Sequence, residues 1–338
     1  MFATIAKLLA RRILVSIPIL LLVSMLLFMI LRVLPVDPAA MSLPPNATIE
    51  EIEAKRVEMG LTLPLPQQYA IWLSQVAHGD FGTSIQLRTS VTRLIGQTLP
   101  ATIELAVLAM AIASALGIAG GLLLFYLRGT RSETVLDVGS IALLSLPEFL
   151  WGLFLVLLFG VWFEFLPFTG VLSAGYQKPD ITGFLLFDSL ITGQFATFWN
   201  AVQHLILPAF ALGVSFSPPI MRVLRSSLLD VYQDDYIHQA RLRGLSERRI
   251  LIGHALKNAI LPTLSLMGVQ FGFLFGGTLL IEIIYSYPGM GNLMVDAIRN
   301  TDLPIIQAVG LTYCVVVLVI SILVDSLYLI LNPKLRTR

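Results

Sequence analysis

Apolar residues gather in six long runs: Ile13 to Leu34, Ala101 to Leu127, Val135 to Phe165, Ala201 to Leu224, Asn258 to Tyr285 and Pro304 to Leu331. About 20 helical residues cross a hydrocarbon core, so each run predicts a transmembrane helix. Their continuity speaks against a barrel, whose strands would be shorter and would alternate. Between Pro35 and Leu99 the pattern turns polar but keeps helical spacing. Thr48 followed by Glu51 has the capping-box interval and predicts a helix through Glu58, ended by Gly60. Pro66 suits a first helical turn, after which Tyr69, Trp72, Leu73 and Val76 share one face until Gly79. The apolar core of Ile181 to Trp199 is interrupted by Asp188, Gly193 and Gln194, and reads as an interfacial or re-entrant element, not a seventh span.

These runs divide the chain into an N-terminal segment and first helix over 1–34, a small helical domain over 35–100, and a five-helix core over 101–338 that includes a polar loop at 225–257. The fold class is all-α and polytopic. Composition agrees: 56% of the 338 residues are hydrophobic and 13% charged, about half the charged share of an average soluble chain.

Charge then orients the bundle. Basic residues collect on alternate loops, at Lys7, Arg11 and Arg12, at Arg128 and Arg131, from Arg222 to Lys257, and at Lys334, Arg336 and Arg338. Because short basic loops stay cytoplasmic, both termini are expected there, and the 35–100 domain on the opposite side. The first span reads as an uncleaved anchor, too long for a signal-peptide core. A net charge of +1 gives no reason to expect a nucleic-acid partner. The lone cysteine, Cys314, lies in the sixth span, so no intramolecular disulfide is expected.

Candidate chemistry is sparse. No Gly-x-x-x-x-Gly-Lys-Ser/Thr phosphate loop, His-Glu-x-x-His pair or Gly-x-Ser-x-Gly elbow occurs. An enzyme, a metal site or a cofactor in this chain therefore lacks support. Ionisable residues within spans are costly and point to function by default. Glu104, Glu164 and Glu282 fall near one set of span ends and Asp325 near the other, where interfacial water explains most of them. Glu148 follows Pro147 near the middle of the third span, and suits either a substrate pathway or internal pairing. Gly268, Gly272 and Gly276 recur every fourth residue, a stripe compatible with tight bundle packing, a subunit seam or a sliding pathway wall. Glu282 is carried with Glu148 and this stripe as a candidate for the pathway or a gate. The chain shows no relay of buried carboxylates and histidines of the kind a proton-driven carrier uses, so energy is expected to arrive from outside it.

The polar loop from Asp235 to Pro262 is the natural port. Tyr236 to Arg243 predicts a helix ended by Gly244, and Ser246 stands where it could cap a second one running from Glu247 to Lys257. Leu245, Ile250, Leu251 and Ala255 give this element an apolar face, and Arg241, Arg243, Arg248 and Arg249 a basic one. It could lie on anionic lipid or dock into a partner's groove; a glycine-punctuated helix pair favours the partner.

At these residues a family resemblance emerges. Asp235-Tyr236-Ile237, Ala240-Arg241, Gly244-Leu245-Ser246 and Ile250, then His254-Ala255-Leu256-Lys257-Asn258-Ala259 and Leu261-Pro262, resemble the coupling loop of permease subunits in bacterial ABC importers of the dipeptide, oligopeptide and nickel group. The likeness spans nearly the whole chain: Leu34-Pro35-Val36-Asp37-Pro38, His78-Gly79-Asp80-Phe81-Gly82, Leu99-Pro100-Ala101-Thr102-Ile103-Glu104-Leu105, Ser145-Leu146-Pro147, Ile206-Leu207-Pro208, Arg225-Ser226-Ser227, Glu282 with Tyr287-Pro288-Gly289-Met290-Gly291, and Asn332-Pro333-Lys334. Departures are local: Val36 stands where glycine is usual, Gln239-Ala240-Arg241 replaces Glu-Ala-Ala, and Glu148 replaces a small polar residue. The dipeptide-type members are most similar.

The resemblance implies a type I ABC importer permease fold in a bacterial inner membrane. It implies a second homologous permease, two cytoplasmic ATPases that bind ATP and Mg, and an extracytoplasmic substrate-binding protein. Alternating access would follow, with Gln239, Ala240, Arg241, Gly244, Leu245, Arg248 and Arg249 in ATPase coupling. Dipeptides or short peptides lead as substrate, and nickel chelate or glutathione follow; a self-sufficient carrier or channel is the competing class.

Overall fold

Apolar length dictates the architecture of the computed structural model, which describes residues 2–33, 37–44 and 46–331. The sequence motifs at Leu34 to Val36 and Asn332 to Lys334, together with Arg336 and Arg338, lie outside these. Helix α1 (Phe2–Val33) is followed by a polar stretch carrying α2 (Pro38–Met41), α3 (Ile49–Glu58) and α4 (Leu65–Ala77). Next come α5 (Val91–Tyr126), α6 (Arg131–Ser145) and α7 (Glu148–Leu155), the last continuing as a π-helical stretch to Trp162. A short α8 (Leu185–Ile191) leads into α9 (Phe195–Val231), the longest helix described. Then α10 (Asp235–Leu242) and α11 (Glu247–Ile250) form a turn, and a π-helical stretch from Leu251 to Ala255 joins it to α12 (Leu256–Ile284). The described residues close with α13 (Met290–Arg299) and α14 (Leu303–Leu331). Among the described residues there is no strand, only an isolated bridge between Thr83 and Ser90.

Five segments are long and apolar enough to cross a membrane, in α1, α5, α9, the stretch from Glu247 through α12, and α14. The expected third span is different. It is two helices, α6 and the α7 segment, bent by 96° at their junction. Leu146 is extended, as the residue before a proline prefers, and Pro147 lacks the N–H that would continue α6. Hydropathy runs through this break, which is why it reads as one span in sequence.

The predicted caps around α3 and α4 form. Thr48 Oγ1 accepts from the Glu51 amide while the Glu51 carboxylate accepts from the Thr48 amide, completing the capping box. Tyr69 and Trp72 of α4 pack on Phe28 of α1, with ring centroids 5.5 and 5.8 Å apart, and the Tyr69 and Ser24 hydroxyls lie 2.8 Å apart. Asp37, the α2 N-cap, pairs with Arg56 of α3 at 2.7 Å, and this guanidinium holds its carboxyl below the usual carboxylate range. The 181–199 stretch holds the short α8 and the start of α9, and adds no span besides α9 itself.

The core lies along α5 and α9. Leu105, Ala109 and Ala113 of α5 meet Leu205, Leu212 and Ile220 of α9, all buried. Small residues set the distance between the two helices: a Cβ on Gly117 would stand 2.5 Å from Ile220, and one on Gly213 2.6 Å from Ile112. Gly117→Ala is therefore expected to force the helices apart and destabilise the protein by about 1–3 kcal/mol, the usual cost of overpacking. Unfolding in denaturing detergent checks this; an unchanged midpoint would show that the seam is not tight.

Candidate functional site

Two polar constructions stand at opposite ends of α12. At its N-terminal end α10 and α11 form a compact turn. Ile237 and Ala240 of α10, Ile250 of α11 and Ala255 are buried with Phe125 of α5 and Leu224 and Leu228 of α9. Half-buried Leu245 and Leu251 join them. The predicted apolar face thus seats the turn on the ends of the two core helices. Gly244 follows α10 at φ +77°, a left-handed conformation that costs other residues strain, and its exposed position leaves room around the place of a Cβ.

The structure divides the residues expected in coupling between surface and core. Gln239, Arg241, Gly244, Arg248 and Arg249 are exposed, whereas Ala240 points inward onto the chain's own core. Ala240 therefore packs the turn against α5 and α9 and is not displayed for close approach by another subunit. Ser246 occupies the N-cap position of α11 but its side chain makes no capping bond. The first-turn Glu247 instead accepts from Arg241 Nε at 2.6 Å, tying α11 back to α10.

Sequence reasoning missed the aromatic half of this end. Arg128, just beyond α5, lies over the rings of Phe125 and Tyr232 at 4.2 and 5.5 Å, and Arg241 lies over Tyr232 at 5.4 Å. Such stacking fixes the turn relative to the α5–α6 connection. Arg225 of α9 pairs with Glu133 of α6, whose other oxygen accepts from the Gly129 amide at 2.6 Å. Arg128, seen in sequence only as an orientation signal, and Arg225, seen also within a family motif, are the available trace of these contacts.

At the other end of α12 stands Glu282. Interfacial water does not explain it: the residue is fully buried. Its carboxylate accepts from Thr102 Oγ1 of α5 at 2.7 Å and from the amides of Gly291 and Asn292 of α13 at 2.6 and 3.3 Å. Thr102 Oγ1 in turn accepts from the Met290 amide at 2.8 Å. Amides at the start of a helix lack intrahelical partners, so a carboxylate completes them. A Cβ on Gly291 would stand 2.6 Å from Leu279 Cα, and one on Gly289 would run into the Glu282 carboxylate, which explains both glycines. Glu282 is a clamp between α5, α12 and α13.

Glu148 stands at the break between α6 and α7, in the first turn of α7, where the helix dipole favours a carboxylate. It is half-buried and faces Gly277, an ideal Cβ there lying 3.4 Å from Glu148 Oε1. The glycine stripe runs elsewhere. Gly268 abuts Val324 and Gly272 lies beside Val317, both of α14, while Gly276 opens on an apolar cavity of about 400 Å³ lined also by Ile19, Leu20, Tyr313 and Val317. Gly268 and Gly272 thus serve α12–α14 packing, and the structure does not bring the stripe together with Glu148.

A further buried acid, Asp188 of α8, organises the loop before it. It accepts from the amides of Ile181, Thr182 and Gly183 at 3.0–3.1 Å and from the Thr182 hydroxyl at 2.6 Å. Burial pushes this carboxyl up, but the donors outweigh burial and hold it below the usual carboxylate range. A depressed folded value means that the stabilisation is complete above the ordinary carboxylate value of about 4 and is lost as pH falls through the folded one. Amide exchange at Thr182 and Gly183 is expected to accelerate, relative to the intrinsic rate, only on that acid side; an onset near neutral pH would refute this assignment.

An all-helical bundle with a bent third span and a turn carried on its two core helices has the fold of an ABC importer permease. The chain belongs to the family of binding-protein-dependent transport system inner membrane components, whose profile matches residues 113–337, with the N-terminal region of such membrane components matching 5–106. It is 36% identical to the di/tripeptide transport system permease protein DppB of Pseudomonas aeruginosa, over 97% of this chain and 98% of that one. It is also 36% identical to the dipeptide permease DppB of Escherichia coli K12, over 96% and 97%, and 33% identical to the glutathione transport system permease GsiC of the same strain, over 96% and 97%. In fold alone it resembles an inward-facing structure of the MetNI methionine ABC transporter, with a TM-score of 0.55 and 14% identity over 71% of this chain and 96% of that chain.

Proposed function

We propose that this chain forms half of the translocation pathway of an ATP-driven, binding-protein-dependent importer of dipeptides or short peptides. Full-length identity of 36% to two dipeptide-transport permeases carries the substrate class. The α10–α11 turn supports the energy route: its apolar face is seated on α5 and α9, leaving Gln239, Arg241, Gly244, Arg248 and Arg249 exposed on the side another subunit would meet. Two ATPases binding ATP and Mg would engage this turn from the cytoplasm, and a second homologous permease would complete the pathway. A binding protein would deliver substrate to the other end, near α3, α4 and α13. Both termini are then cytoplasmic, as the basic loops require. Closure of the ATPase pair would move the turn, and the α5 and α9 ends beneath it, to open the spans outward.

Glutathione, itself a peptide, is the second reading, favoured by 33% identity to GsiC over 96% of the chain. Vesicles containing the whole complex, loaded with ATP and supplied with the cognate binding protein, distinguish the two by uptake of labelled dipeptide against labelled glutathione. ATP-independent uptake by this chain alone would instead make it a carrier.

A further inference from the structure

Beside the coupling turn lies a pocket of about 590 Å³ lined by Phe125, Tyr126, Arg128, Tyr232, Arg241, Glu247, Arg248 and Leu251. Three guanidiniums face it against one carboxylate. Two of them, Arg128 and Arg241, share the ring of Tyr232, and Glu247 is engaged by Arg241. Arg128 lies over π faces and donates to the Phe125 carbonyl at 3.0 Å, the Glu133 and Glu247 carboxylates attracting it at longer range without an ion pair, and Arg248 is exposed with no ion pair among the described residues. Like charges crowded this way favour an anion, and guanidiniums match a phosphate by paired N–H donors.

The position of the pocket selects the source of that phosphate. The apolar run of α5 closes at Tyr126 and Leu127 and Arg128 follows directly, the place beside a span where basic residues meet lipid headgroups. Tyr126 is 76% exposed and Leu123, one turn deeper, 45%, an open apolar track running from the pocket toward the bilayer. Acyl chains fit such a track, and a soluble phosphate would leave it uncovered. We propose that this pocket holds the phosphate headgroup of an anionic phospholipid, which rests on the same orientation as the importer reading but is tested without transport. A lipid bound here bridges the α5–α6 connection and α11, so membrane composition would bear on how firmly the coupling turn is held.

The whole permease complex in nanodiscs of phosphatidylcholine, with and without phosphatidylglycerol, provides the test, retained lipid being counted by native mass spectrometry. Wild-type protein is expected to keep phosphatidylglycerol in preference to phosphatidylcholine. Arg248→Gln and Arg128→Gln should each weaken that preference about fivefold, the usual worth of one cation at a headgroup. Arg243→Gln, also basic and exposed but outside the pocket, should retain it. If Arg248→Gln retained the full preference, the proposal would fail, and this variant keeps the test open should Arg128→Gln misfold. Inorganic phosphate bound in pure phosphatidylcholine with the same arginine dependence would identify a soluble anion site and overturn the lipid assignment.

Discussion

Glu282→Leu is expected to destabilise the protein by about 3–5 kcal/mol, because it removes the charged acceptor of several buried donors. The Thr102 hydroxyl and the Gly291 amide aim at this carboxylate at 2.7 and 2.6 Å, and Asn292 adds a longer third bond. A bond to a charged acceptor is worth about 1.5–3 kcal/mol, and an orphaned buried donor keeps its desolvation cost. Leucine fills similar volume, so the loss reports the polar contacts. Glu282→Gln keeps one accepting oxygen and should fall between, at about 1–3 kcal/mol. Thermal unfolding followed by tryptophan fluorescence orders the three proteins; a leucine variant as stable as wild type would show that the clamp does not hold α13. The loss should also appear locally, as faster amide exchange at Gly291 and Asn292 than elsewhere in α13, since those amides lose their acceptor first.

The same residue shows where sequence stops being legible. Its position near a span end was visible, and water was the economical explanation. Its partner, however, is Thr102, 180 residues earlier, and periodicity carries no record of such a meeting. Thr102 and Gly291 did stand within family motifs, so the resemblance held the clue that hydropathy lacked. Short-range chemistry was read more fully: Thr48 with Glu51, Gly244 after α10, and the apolar face of the α10–α11 turn all depend on neighbours a few residues apart. Ala240 lay between these cases. It follows Ile237 by three positions, the spacing of one helix face, and that period places it inward with Ile237, where both are buried. The break at Leu146-Pro147 was visible as a proline, but its 96° turn depends on how α7 packs against α9 and α12.

Gly244 separates the coupling reading from ordinary stability. At φ +77° it lies in a region that costs most residues about 1–2 kcal/mol, and asparagine visits that region more readily. An added side chain would meet nothing of this chain within 4 Å. Gly244→Glu should therefore insert and fold with a modest backbone cost, while placing bulk and charge where a docking partner would approach. If the turn docks into an ATPase groove, uptake is expected to fall about tenfold or more, since disrupting a central interface contact costs about 2 kcal/mol or more. ATP hydrolysis by the assembled complex should continue but no longer respond to loaded binding protein. Gly244→Asn meets the same backbone requirement with a smaller, neutral side chain, and is expected to retain most uptake. Equal losses in both variants would assign the effect to the backbone of the turn, not to a partner surface. Undiminished uptake in Gly244→Glu would remove this turn from the energy route altogether, and the exposed arginines beside it would then need another ligand, for which an anionic headgroup in the neighbouring pocket is the immediate candidate.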